Sequence, residues 1–136
     1  MMSGGGPGPD RCRPDIFNKL SRMLDSALRQ TRSASAAIAR RDGLIVAHRL
    51  APQHHPLLTA AIGAATLGAG VTAAAELGQG DLEQVVIECS DGRIVIGPAG
   101  PDALIVAFFA PCSEAERTWP GMRDSARTVA SILEEL

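Results

Sequence analysis

The sequence predicts an α+β fold, an α/β sandwich in which helices cover a five-stranded antiparallel sheet. Asp-Gly occurs twice between short apolar runs, at Asp42-Gly43 and Asp91-Gly92, and each occurrence is a strong hairpin signal. Residues 103–110, ALIVAFFA, are continuously apolar, as a central strand covered on both faces requires. Residues 56–75, PLLTAAIGAATLGAGVTAAA, carry no charge and are long enough for a helix that lies against such a sheet or crosses a bilayer.

In chain order, residues 1–13 are rich in Gly and Pro and read as a disordered tail, leaving residues 14–136 as a single domain. A first helix starts at Pro14 and Asp15; Ile16, Leu20, Met23, Leu24, Ala27 and Leu28 recur at helical spacing, opposite Asn18, Lys19, Arg22, Asp25 and Arg29. Residues 35–39 and 44–50 form the first hairpin. The long helix is introduced by Pro52 and Pro56 and stops at Gly78 or Gly80, where a C-cap glycine is expected. Residues 82–89 and 93–97 flank Ser90, Asp91 and Gly92 as the second hairpin, and residues 103–110 supply the fifth strand. Ser113 to Glu116 has capping-box spacing, but Pro120 and Gly121 interrupt any long helix there. Trp119 reads as a packing anchor. The last helix restarts at Met122 and carries Ala126, Val129, Ala130, Leu133 and Leu136 on one stripe.

The long helix organises the chain. Stepped at ~100° per residue, Leu57, Leu58, Ile62, Leu67, Val71 and Leu77 are distributed around its whole circumference, so cover is expected on several sides. A glycine inside a helix costs about 1 kcal/mol relative to alanine. Gly63, Gly68 and Gly70 therefore suggest close backbone approach, and Gly63, Leu67, Gly70 and Ala74 make a smooth strip against which a second helix could press. Gly68 falls on another face, with Leu57, Ala61, Ala64, Val71 and Ala75. As a membrane span the segment is weak: alanine, glycine and threonine make its insertion nearly neutral, neither end has a Lys/Arg cluster, and Tyr is absent. A packed helix in a soluble dimer, without a membrane span, is the reading adopted.

Net charge is -2 with both signs spread along the chain, which leaves no electrostatic footprint for nucleic acid. Cys12, Cys89 and Cys112 have neither CxxC spacing nor an even count, so no disulfide framework or zinc site is expected. His54 and His55 lack a third ligand at a supporting spacing and read as solvated loop residues. The glycines near residues 63–70 lack the Lys and Ser/Thr of a phosphate loop, no GxSxG elbow occurs, and no buried carboxylate pair follows from spacing. Neither a catalytic site nor a cofactor is expected. The opening residues lack the apolar run of a secretory signal, and a cytoplasmic location is expected.

The order helix, hairpin, long helix, three-stranded meander, helix resembles the Roadblock family, also called the dynein light chain Roadblock family. The resemblance rests on residues 41–46 (RDGLIV), Glu76-Leu77-Gly78, Gly80-Asp81-Leu82, residues 85–88 (VVIE), residues 91–96 (DGRIVI) and Gly121-Met122-Arg123. It implies a Roadblock-like, profilin-like sheet and a homodimer in which the long helices lie side by side and the third strands pair edge to edge. The dimer interface is then expected at Gly63, Leu67, Gly70, Ala74, Val85 and Ile87. The family also implies a non-catalytic protein that binds and regulates a Ras-like small GTPase, or alternatively a structural light-chain subunit of a motor or signalling assembly. The helix face bearing Leu58, Ile62, Ala65, Ala69, Thr72 and Glu76 is assigned to partner docking. Residues 112–119 are longer and more charged than the family's usual approach to its last helix.

Overall fold

A computed structural model of the chain describes residues 18–26, 28, 35–110 and 126–134. The expected tail, the start of the first helix, Cys12, Cys112, Trp119 and the 112–119 segment lie outside the described residues. Helix α1 (residues 18–26) precedes strands β1 (Ser35–Arg40) and β2 (Ile45–Arg49), the long helix α2 (Pro56–Glu76), and strands β3 (Val85–Cys89), β4 (Gly92–Pro98) and β5 (Ala103–Phe109); α3 (residues 126–133) follows. The five strands form one antiparallel sheet in the order β2-β1-β5-β4-β3, so β5 is central, as its uninterrupted hydrophobicity requires.

Both hairpins form, each with its own use of glycine. Gly43 has a φ of 94°, and beside it the Asp42 carboxylate accepts a 3.2 Å hydrogen bond from the Leu44 N–H while the Arg40 N–H donates to the Leu44 carbonyl at 2.8 Å. Between Ile38 and Ala39 the register shifts, a bulge that twists the first hairpin at its tip. In the second hairpin Cys89 pairs with Gly92, so the loop is Ser90-Asp91, one residue earlier than an Asp-Gly turn would place it. Gly92 belongs to the strand, where a Cβ would lie 2.9 Å from the Phe109 carbonyl oxygen. Its glycine serves a close approach between strands and not a left-handed turn.

Alternation along the strands divides the interior in two. On one face Ala36, Ile38, Ala47, Val95, Ile105, Ala107 and Phe109 pack with Leu20 and Leu24 of α1 and Ala126 and Val129 of α3. These helical residues are the stripes expected from sequence. On the other face Ala39, Ile96, Leu104 and Val106 meet Ala60 and Leu67 of α2, with Ile45, Leu82, Val85, Ile87, Ile94 and Phe108 around them. The result is three layers, helix on sheet on helices. An Arg49–Asp25 ion pair at 3.0 Å ties β2 to α1, and Arg41 donates to the Gly100 carbonyl at 3.0 Å, tying the first hairpin to the β4–β5 turn.

Helix α2 ends as expected. Gly78 has a φ of 68°, its N–H reaches the Ala75 carbonyl at 3.2 Å, and the Gln79 N–H reaches the Ala74 carbonyl at 2.9 Å, the paired bonds of a Schellman cap. The seating of the helix corrects the sequence reading. Gly63 and Leu67 are buried against the chain's own sheet, where a Cβ on Gly63 would stand 2.6 Å from Val106 Cγ2 and 3.2 Å from Leu104 Cδ1. A Cβ on Gly70 would meet Leu82 and Val85, each at 3.0 Å. The smooth strip therefore faces strands β3, β4 and β5 and is closed to a second helix. Among the described residues cover comes from one side only, and the rest of α2 faces outward.

This packing separates the glycines energetically. Gly63→Val should destabilise the fold by about 1–3 kcal/mol through overpacking against a central strand. Gly68→Ala, where an added Cβ meets nothing within 4 Å, should stabilise it by about 0.5–1 kcal/mol through helix propensity. Urea unfolding of both variants reads the difference.

Candidate protein docking surface

Helix α2 carries most of the large exposed apolar side chains of the described residues. Leu57, Leu58 and Ile62 are 64%, 59% and 50% exposed, and Ala61, Ala65, Gly68, Ala69, Thr72, Ala73 and Ala75 beside them are also exposed. No acidic residue lies in the first turn and no basic residue in the last, so the outward face is uncharged until Glu76. Contiguous apolar exposure of this kind marks interaction sites in soluble proteins. By length and mean hydropathy of 1.6 the helix could also cross a membrane, yet here it lies along a sheet and contacts every strand of it.

The structure places Leu58, Ile62, Ala65, Ala69, Thr72 and Glu76 together on this exposed face. It does not bring the other predicted set together. Gly63 and Leu67 are buried beneath the helix, Gly70 and Ala74 are half-buried at its margin, and Val85 and Ile87 lie under α2 with their side chains half-buried against it. What β3 leaves open is backbone. Among the described residues it is an edge strand, paired with β4 alone, and its outward N–H and C=O groups face no other strand there. Val86, 41% exposed on the opposite face, and the Glu88–Arg93 cross-strand ion pair flank that edge. Gln84, just before β3, has its Oε1 buried without a hydrogen-bond partner among the described residues.

On the Gly70 side of α2, which looks toward Leu82 and Val85, the helical spacing carries Thr66, Ala73, Ile62 and Ala69 outward in succession. This flank is smooth and continuous with the open edge of β3. The opposite flank carries Leu57 and Ala61 toward the first hairpin, where a Cβ on Gly43 would stand 3.8 Å from the Ala61 Cα and Leu44 is 60% exposed. Leu44 was absent from the residues expected at a surface. In the sequence it is one apolar residue of a strand, and only the bulged hairpin turns it out.

His54 departs from its expected role as a solvated loop residue. Its ring stacks on Phe108 with centroids 3.9 Å apart and an interplanar angle of 17°, and its Nδ1 lies 3.0 Å from the Oγ of fully buried Ser35. His55 is exposed and occupies the N-cap of α2 without a side-chain capping bond. Ser35 and His54 have the reach of a nucleophile and base, but a serine with no exposed surface cannot meet a substrate. Among the described residues no group of three or more His, Cys, Asp or Glu could hold a metal ion. An open cleft of about 500 Å³ lies between α3 and the β4–β5 turn, with Glu83, Arg127 and Glu134 at its walls. The chemistry available on α2 and β3 is that of protein association: apolar area on a rigid helix and a row of main-chain donors and acceptors.

The fold and this surface have counterparts among known proteins. Two uncharacterized proteins of Methanocaldococcus jannaschii, MJ0310 and MJ1340, are each 38% identical to this chain over 66 residues, which span 48% of the chain and 58% of each relative. A structure of MglB with a tetrameric arrangement is 25% identical, covers 88% of this chain and 91% of its own, and superposes with a TM-score of 0.80. The crystal structure of a Roadblock/LC7 domain from Streptomyces avermitilis, 20% identical with coverage of 84% and 97%, gives 0.76. A more distant likeness, with a TM-score of 0.61 at 12% identity and coverage of 85% and 96%, is to LokiProfilin1 in complex with rabbit actin, which supports the profilin-like description of the sheet. Residues 20–109 match the Roadblock/LC7 domain, most of the chain and all five strands, and the protein belongs to that family.

Proposed function

We propose that the chain is a non-catalytic docking protein that associates with a second copy of itself and, as a dimer, binds and regulates a Ras-like small GTPase in the cytoplasm. The observation that carries this reading is the uncharged outward face of α2, an apolar helix surface that its own sheet leaves uncovered. Family membership supports the class of protein, and the tetrameric arrangement named for MglB supports assembly between copies of this fold.

The two kinds of partner call on different parts of the surface. A second copy would add its β3 to the open edge of β3 and lay its α2 against the flank bearing Thr66, Ala69 and Ala73. Main-chain pairing removes the edge-strand liability, and the small side chains allow the helices close approach. The GTPase would meet the outermost residues, Leu58, Ala65, Thr72 and Glu76, with Ile62 at the boundary between the two contacts. Leu57 and Leu44 would extend this patch toward the first hairpin.

On this reading the chain is a dimer by light scattering. Ala73→Glu places an unpaired charge on an exposed position of the helix flank and should weaken self-association by at least about tenfold, with an unchanged far-UV circular dichroism spectrum. Monomeric wild-type protein would remove the dimer from the account.

The GTPase contact is tested separately. Leu58→Glu should leave the dimer intact and reduce binding to Ras-like GTPases, loaded in turn with GDP and GTP, by at least about tenfold, because an apolar anchor is replaced by a charge that must be desolvated. Binding that ignores both the substitution and the nucleotide would favour the structural-subunit alternative.

A further inference from the structure

We infer that His54 is a positioning residue for the docking face, a latch that fixes where α2 begins and so which way Leu57, Leu58 and Ile62 point; the inference rests on the docking reading above. The helix start is not specified by its own residues. Its N-cap His55 makes no side-chain bond, its first turn has no acidic residue, and Pro56 constrains only the backbone angle at the first helical position.

The fixing instead comes from the residue before the cap. The His54 ring lies flat on Phe108 of β5 at 3.9 Å, its Nδ1 is 3.0 Å from Ser35 Oγ of β1, and the residue's backbone N–H donates to the Ala51 carbonyl at 2.9 Å. Ser35 and Phe108 sit directly opposite each other in the β1–β5 register, so ring and hydroxyl form one seat on the sheet. Ser35, the first residue of β1, is fully buried and provides a fixed point. Leu57 and Leu58 follow His54 by three and four residues. Because each helical residue turns about 100°, a one-residue slip at the start would swing Leu58 from the outward face to a flank. The start of the helix, and with it the placing of Leu57 and Leu58, thus depends on a side chain outside the helix, while Gly63 and Leu67 seat its middle.

The test uses the full chain as wild type and as His54→Ala, Ser35→Ala and His54→Phe. Amide hydrogen exchange reads the helix start, and binding to Ras-like GTPases loaded with GDP or GTP reads the docking face that Leu57 and Leu58 carry, with the dimer dissociation constant measured alongside. In His54→Ala, amides of residues 59–63 should exchange about tenfold faster, the factor expected for losing one hydrogen bond and one ring stack, while amides in the centre of β5 keep their rates. GTPase binding should weaken by a similar factor, and self-association, which shares only Ile62 with this face, by less. Ser35→Ala and His54→Phe each remove the hydrogen bond and keep the stacked pair of rings, and should fall between wild type and His54→Ala in both readouts. Uniform acceleration across sheet and helix would overturn the latch in favour of a general stability contribution. Absence of local acceleration, or local acceleration with unchanged GTPase binding, would overturn it as well. A monomeric wild type would sink the docking reading and not the latch, which the exchange pattern then decides alone.

Discussion

The contact on which this structure depends is the seating of α2 on β5 at Gly63. With no Cβ at that position, the helix backbone comes down onto Val106 and Leu104, and Leu67 one turn later closes the same seam to 1% exposure. Any side chain there would lift the helix from the central strand and open the interior around Ala39, Ile96 and Ala60. The helix-propensity cost of a mid-helix glycine, about 1 kcal/mol, is offset by dispersion contacts along this seam.

Seating the helix this low has two consequences. The residues beneath it are fully used by the sheet, and those above have no covering element among the described residues. A helix that is apolar all round and covered on one side presents an apolar surface by necessity, and Leu57, Leu58 and Ile62 are its largest members. The order of the strands adds the second feature. With β5 central and β3 at the rim, the fold keeps an open edge on the same side as the Gly70 flank of α2, so helix surface and strand edge form one continuous region. Neither feature alone suffices for a stable interface. Together they offer apolar area and a hydrogen-bond register.

Several elements were legible because the local signals agreed. Asp42-Gly43 and Asp91-Gly92 separated apolar runs, ALIVAFFA had no polar residue to turn toward solvent, and Leu20, Leu24, Ala126 and Val129 kept helical spacing; these took the expected places, except that the second hairpin turns at Ser90-Asp91 and keeps Gly92 in the strand. The six residues expected from sequence at the partner face also fall together on exposed surface, since helical spacing alone groups them. The strip Gly63-Leu67-Gly70-Ala74 was grouped as correctly, but its direction was not. Alanine and glycine are spread so evenly around α2 that no hydrophobic contrast marks which side goes down, and a smooth strip suits a sheet as well as a second helix. His54 was equally hidden: a histidine in a Pro-flanked loop has the composition of a solvated one, and its stack on Phe108 joins residues far apart in sequence.

By itself the sequence determined the element order, the hairpins, the identity of the central strand and the existence of one long uncharged helix, because each depends on spacing and turn chemistry within a few residues. The tertiary structure decided which face of that helix is spent on its own sheet, which strand is left at the rim, and where the helix starts. Those outcomes depend on contacts such as Gly63 with Val106 and His54 with Ser35, between residues that local periodicity cannot connect.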